Sequence, residues 1–506
     1  MPVSLRRRPG DKMADTMIEL HAPAIEGQHV VFSWTEAPPT GIYDSTSFRL
    51  TFPTSIDPGA LPERLWWTVF LLCVHSHWAV MRPCSVRIPV TLPSEEIEVW
   101  SRLIETHVAT AEAQRDSHDY GGLEISCHGP VLDPLPQLDE RGIVAASFSG
   151  GKDSMVQAAM LFELGRSPLL VATTSPMPGL IDHGTSHRRR AFDEVVSRRG
   201  ARLVEVESDL RSAWDNAGAS RRGFPFGVNE ISDTFLYTAA LLAVGYAFGA
   251  THLFLASENE VSQNHVENGR FLQHPHFMYS ATTQAAIRAL LAPAGIYYGS
   301  LISALHSSQV QQLLTTRYTD LRDLQFSCWR TTEERRACSK CSECKRLGWL
   351  ALSLGEAPSE LGIDLLYMLL NYDDPEVASR VHTYPPSAET SARMKAQTAD
   401  AVSKVPMRRV VAQLVRERPS ALVGPAGWRA LARFRRLRRE VLSGDHVGPS
   451  GYRAGYLETV DPELRDGVAG IFDAHFPREA GETYMAQLER QREAIRYITE
   501  PLRVHW

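Results

Sequence analysis

The pattern of hydrophobic and polar positions changes along the chain and divides it into three parts. The first part, residues 1–135, mixes short runs of alternating hydrophobic and polar residues with two helical patterns. One helical pattern, at 62–78, is strongly apolar, and the other begins after Pro93 with Ser94 as the predicted N-cap. An α+β N-terminal domain is therefore predicted, ending in a proline-rich linker at 132–138.

The second part, residues 140–350, alternates short apolar strands with helices. The predicted strands are 143–147, 169–173, 202–206 and 253–256. Each strand is paired with a helix, which predicts an α/β domain with a parallel sheet wound on both faces. The third part, residues 351–506, shows repeated helical periods broken by prolines and no strand pattern, so a helical C-terminal region is predicted.

One uncharged stretch, 236–256, has a composition similar to that of a membrane span. Gly245, Gly249 and His252 interrupt it, so a buried helix followed by a strand explains it better. The arginines at residues 6–8 are followed by no apolar run, so no signal peptide is predicted. We therefore expect a cytoplasmic protein with no membrane partner.

The composition limits the class of protein further. The chain has 506 residues, of which 43% are hydrophobic and 22% charged, the balance of a soluble globular protein with several domains. Its net charge of −6 gives no overall attraction to nucleic acid or to an anionic membrane. Seven cysteines in a chain of this length do not form a secreted disulfide scaffold, and four of them fall within residues 328–344. Clustered thiols indicate a reducing compartment and a bound metal.

The most informative segment lies between the predicted strand 143–147 and the helix that follows it. It reads Ser147, Phe148, Ser149, Gly150, Gly151, Lys152, Asp153, Ser154. Backbone N–H groups and the positive end of the helix dipole favour an anion at such a junction. The glycines let the backbone approach a phosphate, the serines can donate hydrogen bonds, and Lys152, one of six lysines, adds a positive charge. Asp153 suits this loop if it helps to hold Mg²⁺ or orients the backbone.

On residues 149–154, which read Ser-Gly-Gly-x-Asp-Ser, the chain resembles the PP-loop ATP pyrophosphatases. The segment is not a Walker A loop, because Asp153 follows Lys152 and the earlier glycine is missing, nor is it a dinucleotide fingerprint. The resemblance implies an HUP-like PP-loop domain in which residues 147–154 bind ATP with Mg²⁺, and Lys152, Asp153 and Ser154 act in catalysis. It also implies that an acceptor oxygen attacks the α-phosphorus, forming an adenylate and releasing pyrophosphate.

Four cysteines form a second candidate site. They are Cys328, Cys338, Cys341 and Cys344. The spacing Cys-x9-Cys-x2-Cys-x2-Cys suits one tetrahedral Zn²⁺ with a structural role, and it also permits a [4Fe–4S] cluster. Zinc is the predicted metal, with the iron–sulfur cluster as the alternative.

The two motifs together are similar to those of QueC, the 7-cyano-7-deazaguanine synthase family. The similar residues around the cysteines are Ser327, Cys328, Trp329 and Arg330, then Cys338, Cys341, Cys344, Lys345 and Arg346. The resemblance implies two adenylations that convert a 7-carboxy-7-deazaguanine into an amide and then a nitrile, with ammonia as the nucleophile. Asp182, Gly184 and His187 partly match a further motif of the family.

Other positions depart from that family. A lysine at the start of a family helix is replaced in the stretch 305–309, and the Arg-Asn pair after Val228 is missing. The stretch 257–260 does not reproduce the family's Tyr-Pro-Asp-Cys-Arg motif. The resemblance covers residues 140–350, so about 300 of the 506 residues lie outside it. ATP binding is therefore better supported than the usual substrate of the family.

The added length resembles that of large QueC-like proteins from bacterial anti-phage systems, the Qat system and type IV CBASS. There the chemistry is thought to attach a deazapurine to a protein N-terminus. The resemblance thus implies antiviral defence, a small-molecule deazapurine substrate, and a protein substrate or operon partner. Nitrile synthesis for queuosine, tRNA thiolation and a non-catalytic nucleotide-binding scaffold are the alternatives, and the sequence leaves a homodimer open.

A basic segment lies between residues 404 and 440, where ten arginines accompany two glutamates. Such a segment can bind tRNA or DNA through the phosphates. However, 47 of the 53 basic residues in the whole chain are arginine, so a base-composition bias accounts for much of this density. A solvated helix face or a protein-docking surface is the favoured interpretation, and nucleic acid is the alternative.

Overall fold

The computed structural model describes most of the chain. The described residues are 16–78, 81, 84–112, 123–139, 142–175, 185–215, 228–259, 266–267, 270–271, 277–328, 331–372, 388–422, 424–444, 451–499 and 504–505.

Sixteen strands and fourteen α-helices are found among these residues. The strands are β1 (Thr16–Leu20), β2 (Ala24–Glu26), β3 (His29–Ala37), β4 (Ser47–Thr51), β5 (Cys84–Ile88), β6 (Leu123–Cys127), β7 (Ile143–Ser147), β8 (Leu169–Thr174), β9 (Arg202–Ser208), β10 (Ala250–Phe254), β11 (Val266–Glu267), β12 (Arg270–Phe271), β13 (Tyr297–Gly299), β14 (Tyr452–Arg453), β15 (Arg478–Glu479) and β16 (Val504–His505). The helices are α1 (Glu63–Trp78), α2 (Ser94–Glu112), α3 (Lys152–Glu163), α4 (Thr185–Arg199), α5 (Val228–Phe248), α6 (Ala281–Leu291), α7 (Ser307–Thr316), α8 (Ser342–Leu354), α9 (Leu365–Leu370), α10 (Ala388–Lys404), α11 (Met407–Glu417), α12 (Pro425–Leu442), α13 (Pro462–Asp473) and α14 (Tyr484–Thr499).

Twelve of the described strands form one mixed sheet. Its order is β13–β10–β7–β8–β9–β4–β3–β1–β5–β6–β16, and β2 pairs with β3 beside this path. The first part of the chain and the second are joined where β4 pairs antiparallel with β9, with Leu50 opposite Ser208. The predicted parallel sheet is thus one half of a larger mixed sheet, which continues across the predicted boundary between residues 135 and 140.

The half of the sheet that follows residue 140 is parallel. Its five strands lie in the order β13–β10–β7–β8–β9. In chain order they are the fifth, fourth, first, second and third, so the chain starts at β7, moves outward through β8 and β9, and returns to the other side. This is a doubly wound order, and ligands of such sheets bind at the carboxyl ends of the strands where the order reverses. Here the reversal lies between β7 and β10.

Helices cover both faces of this parallel half. Alternate strand residues enter two different cores: Ala145 and Leu253 belong to the core under α1, α5 and α6. Ala146 and Phe254 belong to the core under α3, α4 and α7. Strands buried on both faces are expected to be almost continuously apolar, as β7 and β8 are, whereas β9 carries Glu205 and Glu207. The α/β class predicted from the sequence is confirmed.

The uncharged stretch 236–256 forms most of α5 and all of β10. Gly249, with a φ of 70°, turns the chain between the two elements. In the described part of the chain, no helix combines the length and the apolar character that crossing a bilayer requires.

The C-terminal region differs from the prediction of helices alone. It contains three strands of two residues each: β14 pairs with β15, and β16 pairs with β6 of the main sheet. Strands of two residues are too short to produce a detectable alternation of hydrophobic and polar positions.

The helices of this region also pack in two places. Helices α8 to α12 share a core with three of the four clustered cysteines. Helices α13 and α14 instead return to the cores of the main sheet, through residues such as Phe472, Leu488 and Ile495.

Three buried histidines lie on α1 and α2: His75 contacts His107 between the two helices, and His77 packs against Tyr43 and Trp214. His75 Nδ1 is 2.7 Å from the Leu71 carbonyl oxygen and therefore carries the proton, so His75 Nε2 accepts a hydrogen bond from His107 Nε2 at 2.8 Å. Burial lowers the pKa of His75 to about 4. Burial, with repulsion from His75, lowers the pKa of His77 to about 3.

Acidification is expected to destabilise the fold through these histidines. An unfolded histidine binds a proton near pH 6.5, whereas His75 and His77 stay neutral in the fold down to about pH 4 and 3. The unfolded state therefore binds more protons below pH 6.5, and the free energy of unfolding falls by up to about 1.4 kcal/mol per pH unit and histidine. Thermal unfolding between about pH 7 and pH 4.5 measures this loss.

The variant His77→Phe should flatten this pH dependence. Both ring nitrogens of His77 are buried without a hydrogen-bond partner among the described residues, so a phenyl ring removes a titrating group and no such bond. Ser76→Ala is the matched control, because it removes a neighbouring buried hydroxyl that does not titrate. An unchanged pH dependence in His77→Phe would contradict the assignment.

Candidate active site and metal centre

The predicted phosphate loop lies at the junction of β7 and α3. β7 ends at Ser147 and α3 begins at Lys152. Gly150 has a φ of 79°, a conformation that is strained for residues other than glycine. The N-cap of α3 is Gly151, which has no side chain to bond the first turn of the helix. The positive end of α3 therefore points at the loop, and the N-cap residue has no side chain to compete with an anion there.

Two serines hold the loop in shape. The N–H of Ser149 donates to Ser154 Oγ at 3.2 Å, and the N–H of Gly151 donates to Ser149 Oγ at 3.3 Å. Ser154 Oγ in turn donates to the Gly151 carbonyl oxygen at 3.1 Å. The two hydroxyls thus fix the loop backbone in addition to any contact with a phosphate.

The first two residues of the predicted ATP-binding segment, Ser147 and Phe148, belong to the sheet and its core and not to the loop. Ser147 belongs to β7 and pairs with Val171 of β8. The Phe148 side chain is buried, and its ring lies 5.6 Å from that of Phe192 in the core. Residues 147 and 148 position the loop through their backbone, whereas the side chains that face one another at the site begin at Ser149.

Lys152 is buried between two carboxylates. Its side chain is 3% exposed, and its Nζ lies 2.6 Å from Asp153 Oδ1 and 2.8 Å from Glu258 Oε2. Glu258 follows β10, the strand beside β7 at the reversal of the strand order. A lysine that follows β7 and a carboxylate that follows β10 therefore meet where a doubly wound sheet binds its ligand.

Charges around the site set the protonation of these groups. Burial alone would lower the pKa of Lys152, but the attraction of Asp153 and Glu258 outweighs burial and raises it above its usual value. Burial likewise acts to raise the pKa of Glu258, but Lys152 and Arg346 outweigh it, so the pKa falls. The pKa of Asp153 is raised, because burial and the nearby charge of Glu258 together outweigh the attraction of Lys152. Lys152 and Glu258 are thus the firmly charged pair.

Glu258 was not among the site residues predicted from the sequence. The stretch 257–260 was recognisable there only as a mismatch to a family motif. The available signal was the position of this glutamate, two residues beyond the end of the strand predicted at 253–256 in the same parallel sheet. Only the strand order shows that this strand is the neighbour of β7.

The four clustered cysteines converge as predicted. Their Sγ atoms all lie within 4.8 Å of one another. Cys328 Sγ and Cys341 Sγ are 4.0 Å apart, and Cys338 Sγ and Cys344 Sγ are 3.9 Å apart. Four thiolates at a Zn–S distance of about 2.3 Å form a tetrahedron with edges of about 3.8 Å, so the sulfur atoms fit one shared ion such as zinc. A four-iron cluster binds each thiolate to a different iron and needs a wider arrangement.

Backbone N–H groups point at the sulfur atoms. The N–H groups of Cys338, Cys341 and Cys344 donate to the Sγ atoms of Cys328, Cys338 and Cys341, at 3.3 to 3.4 Å. Ser339 has a φ of 59°, the turn that lets the chain fold back between two cysteines. Such bonds stabilise thiolates, the form that binds a metal.

The cysteine segment contacts the phosphate loop directly. The N–H of Phe326 donates to the Gly150 carbonyl oxygen at 2.7 Å, and the N–H of Lys152 donates to Ser327 Oγ at 3.2 Å. Arg346, two residues beyond Cys344, is close enough to lower the pKa of Glu258. The two sequence motifs, almost 180 residues apart, thus form one site.

Two of the three stretches that depart from the resembled family, the one after β10 and the one before α7, also lie together. The N–H of Asn259 donates to the Leu305 carbonyl oxygen at 2.8 Å, and Asn259 Nδ2 donates to the Ser303 carbonyl oxygen at 3.0 Å. The stretch after β10 and the stretch before α7 are therefore in contact, next to Glu258. Both departures modify one side of the same site.

His187 lies in the first turn of α4, and its Nε2 is buried without a hydrogen-bond partner among the described residues. Asp182 and Gly184, which would complete its motif, lie outside the described residues, as do Trp329 and Arg330.

Comparison with protein-family models, with the curated proteins and with the solved structures found no significant match to this chain.

Proposed function

We propose that the chain is an ATP-dependent ligase that forms AMP and pyrophosphate by adenylating a carboxylate, through an HUP-like PP-loop domain. The observation that carries the proposal is the buried Lys152. It is held between Asp153 and Glu258 at the start of α3, whose N-cap is Gly151, where the strand order reverses. A glycine turn, a helix N-terminus and a buried lysine together favour the phosphates of a nucleotide.

The charge balance favours a nucleotide bound with Mg²⁺ over free phosphate. Two carboxylates face one ammonium at the centre of the site, and Arg346 and Glu343 of α8 add one charge of each sign. Two carboxyl groups side by side suit a divalent cation bound to oxygen ligands, and such a cation would keep Asp153 ionised as well as Glu258. Asp153 and Glu258 are the residues that would hold Mg²⁺, which would neutralise charge on the phosphates.

In the proposed reaction a carboxylate oxygen of the substrate bonds to the α-phosphorus of ATP. The bond between the α-phosphorus and the oxygen bridging to the β-phosphate breaks, and pyrophosphate leaves with that electron pair. An amine then attacks the carbonyl carbon of the acyl-adenylate, gives up a proton to solvent, and displaces AMP. The Lys152 ammonium stabilises the charge that develops on the departing pyrophosphate.

We propose a 7-carboxy-7-deazaguanine as the carboxylate substrate and a protein amine as the attacking nucleophile, in an antiviral defence role. The QueC-like motifs support the first assignment. Two features support the second: the altered stretches beside Glu258, and the regions on either side of residues 140–350, which provide surface for a protein substrate. The cysteine site is proposed to hold Zn²⁺ as a structural ion that fixes Ser327 against Lys152.

The test is formation of AMP and pyrophosphate from ATP and Mg²⁺ by the full chain, with and without 7-carboxy-7-deazaguanine. Acid-dependent AMP formation is expected. The same assay with guanine, which lacks the carboxylate, is the matched control and should give no AMP above background. Pyrophosphate release that is equal with both compounds would remove the substrate assignment. Absence of ATP binding by the wild-type chain would remove the PP-loop assignment itself.

A further inference from the structure

The helices α11 and α12 present a strongly basic surface. Residues 407–444 contain ten arginines and two glutamates, a formal charge of +8. The whole chain carries −6, so all other residues together carry −14. This concentration of positive charge is a local feature, and a bias towards arginine over lysine across the chain does not produce it.

Some of these arginines stabilise the fold. Arg409 donates to the carbonyl oxygens of Leu352 and Ser353 at the end of α8, at 2.6 and 3.1 Å. Arg418 pairs with Asp364 at 2.5 Å. These two side chains bind a helix C-terminus and a carboxylate within the protein.

Six other arginines make no ion pair with a carboxylate of the described residues. They are Arg408, Arg416, Arg429, Arg435, Arg438 and Arg439. Arg435, Arg438 and Arg439 line a cavity of about 450 Å³ together with Met407, Leu442 and Ser443. The Nε of Arg438 is buried there without a hydrogen-bond partner among the described residues. Three guanidinium groups converging on one cavity favour an anion with several oxygens, such as a phosphate.

An exposed aromatic ring lies on the same face of α12. Trp428 is 60% exposed, and Arg435, Arg439 and Leu442 follow it at spacings of seven, four and three residues. At 3.6 residues per turn these four positions share one stripe, and Trp428 and Arg439 are about 16 Å apart along the helix axis. A largely exposed indole ring thus lies next to Arg435 and Arg439, which form no ion pair with the described residues.

The neighbouring face of α12 holds this stripe in place. Leu431 and Phe434 belong to the same core as the clustered cysteines, and the Phe434 ring stacks on Trp349 of α8 at 5.2 Å. The stripe is therefore fixed on the helices that pack against the metal centre. A rigid stripe binds an extended ligand with less loss of conformational freedom than a mobile tail would.

We infer that α12 binds a single-stranded nucleic acid, with its phosphates on Arg435, Arg438 and Arg439 and one base stacked on Trp428. Stacking on an aromatic ring beside a basic groove is the usual mode of sequence-tolerant binding to single strands. Duplexes do not offer an unstacked base to Trp428. An acidic protein segment would neutralise the arginines but would leave the indole without a stacking partner. The inference does not depend on the proposed ATP chemistry.

The test uses the full chain and fluorescent single-stranded RNA and DNA of about 20 nucleotides, with fluorescence anisotropy at several salt concentrations. The double variant Arg435→Gln/Arg439→Gln is expected to weaken binding at least about ten-fold. It should also reduce the slope of log affinity against log salt by about 1.4, since each lost phosphate contact removes about 0.7. Trp428→Ala should weaken binding about five-fold or more at every salt concentration without changing the slope, because stacking releases no counterions.

The control removes two exposed arginines elsewhere, Arg102→Gln on α2 and Arg492→Gln on α14, and should bind like the wild type. Circular dichroism establishes that each variant is folded. The inference fails if the wild type binds no single strand at low salt, or if the Arg435 and Arg439 variant binds unchanged. It also fails if a duplex binds as tightly as a single strand, or if polyglutamate binds while nucleic acid does not.

Discussion

Replacing Glu258 by glutamine is expected to lower the rate of AMP formation at least about 100-fold while leaving the protein folded. Glutamine keeps the shape of the side chain but removes the charge beside Lys152, 2.8 Å away. Without this carboxylate Lys152 loses its position, and loss of one preorganised donor at a developing negative charge costs roughly 10²- to 10³-fold in rate. Asp153→Asn and Lys152→Met should have effects of the same order, since all three groups form one cluster. The measurement is AMP release under saturating ATP, together with thermal unfolding of each variant.

The chain provides a matched control for Glu258→Gln. Arg64 and Glu96 form another buried ion pair, with side chains 5% and 9% exposed, between α1 and α2 and away from the phosphate loop. Glu96→Gln removes the charge of a buried carboxylate in the same way and should destabilise the protein without changing the rate per folded molecule. If both variants lose activity in proportion to their loss of stability, Glu258 has only a structural role. If Glu258→Gln retains activity within about three-fold of the wild type, the proposed site is wrong.

Replacing Cys341 by serine is expected to abolish metal binding and to destabilise the cysteine segment and the helices packed on it. The four Sγ atoms lie within 4.8 Å of one another, so the loss of one leaves an incomplete tetrahedron. Structural zinc contributes on the order of several kcal/mol or more to small domains, and three ligands hold it far less tightly. Metal analysis of the purified protein should show about one zinc per wild-type chain and a large decrease in Cys341→Ser.

The same substitution is also expected to reduce AMP formation, because Phe326 and Ser327 bond the phosphate loop from the cysteine segment. Cys127→Ser is the control: this half-buried cysteine lies on β6, outside the cluster, and its removal should change neither metal content nor activity. If the wild-type protein contains iron and absorbs visible light, the site holds an iron–sulfur cluster instead of zinc. Equal metal content in Cys341→Ser and the wild type would show that the cluster binds no metal.

Local elements with strong sequence signals could be predicted well. The strand 143–147 coincides with β7, and the apolar pattern at 62–78 corresponds to α1, because these elements lie in cores that accept only hydrophobic side chains. The cysteine spacing likewise predicted a converging site, since ligands separated by two residues in a turn face one ion.

Elements that depend on distant partners could not be predicted. β16 has two residues and exists because it pairs with β6, some 380 residues earlier in the chain. The pairing of β4 with β9 likewise joins two segments that the hydrophobic pattern places in separate domains. No local propensity encodes such pairings, because the hydrogen bonds that stabilise them come from another part of the chain.

The candidate site shows the same division. The sequence alone determined the glycine turn, the lysine and aspartate of the loop, and the four cysteines, because each motif is a short run whose chemistry is local. Only the tertiary structure placed Glu258 against Lys152 and Ser327 against the loop, and it alone left Trp428 exposed beside arginines that form no ion pair with the described residues. The physical reason is that strand order and helix packing decide which distant side chains come within a few ångströms, and neither is written in local residue patterns.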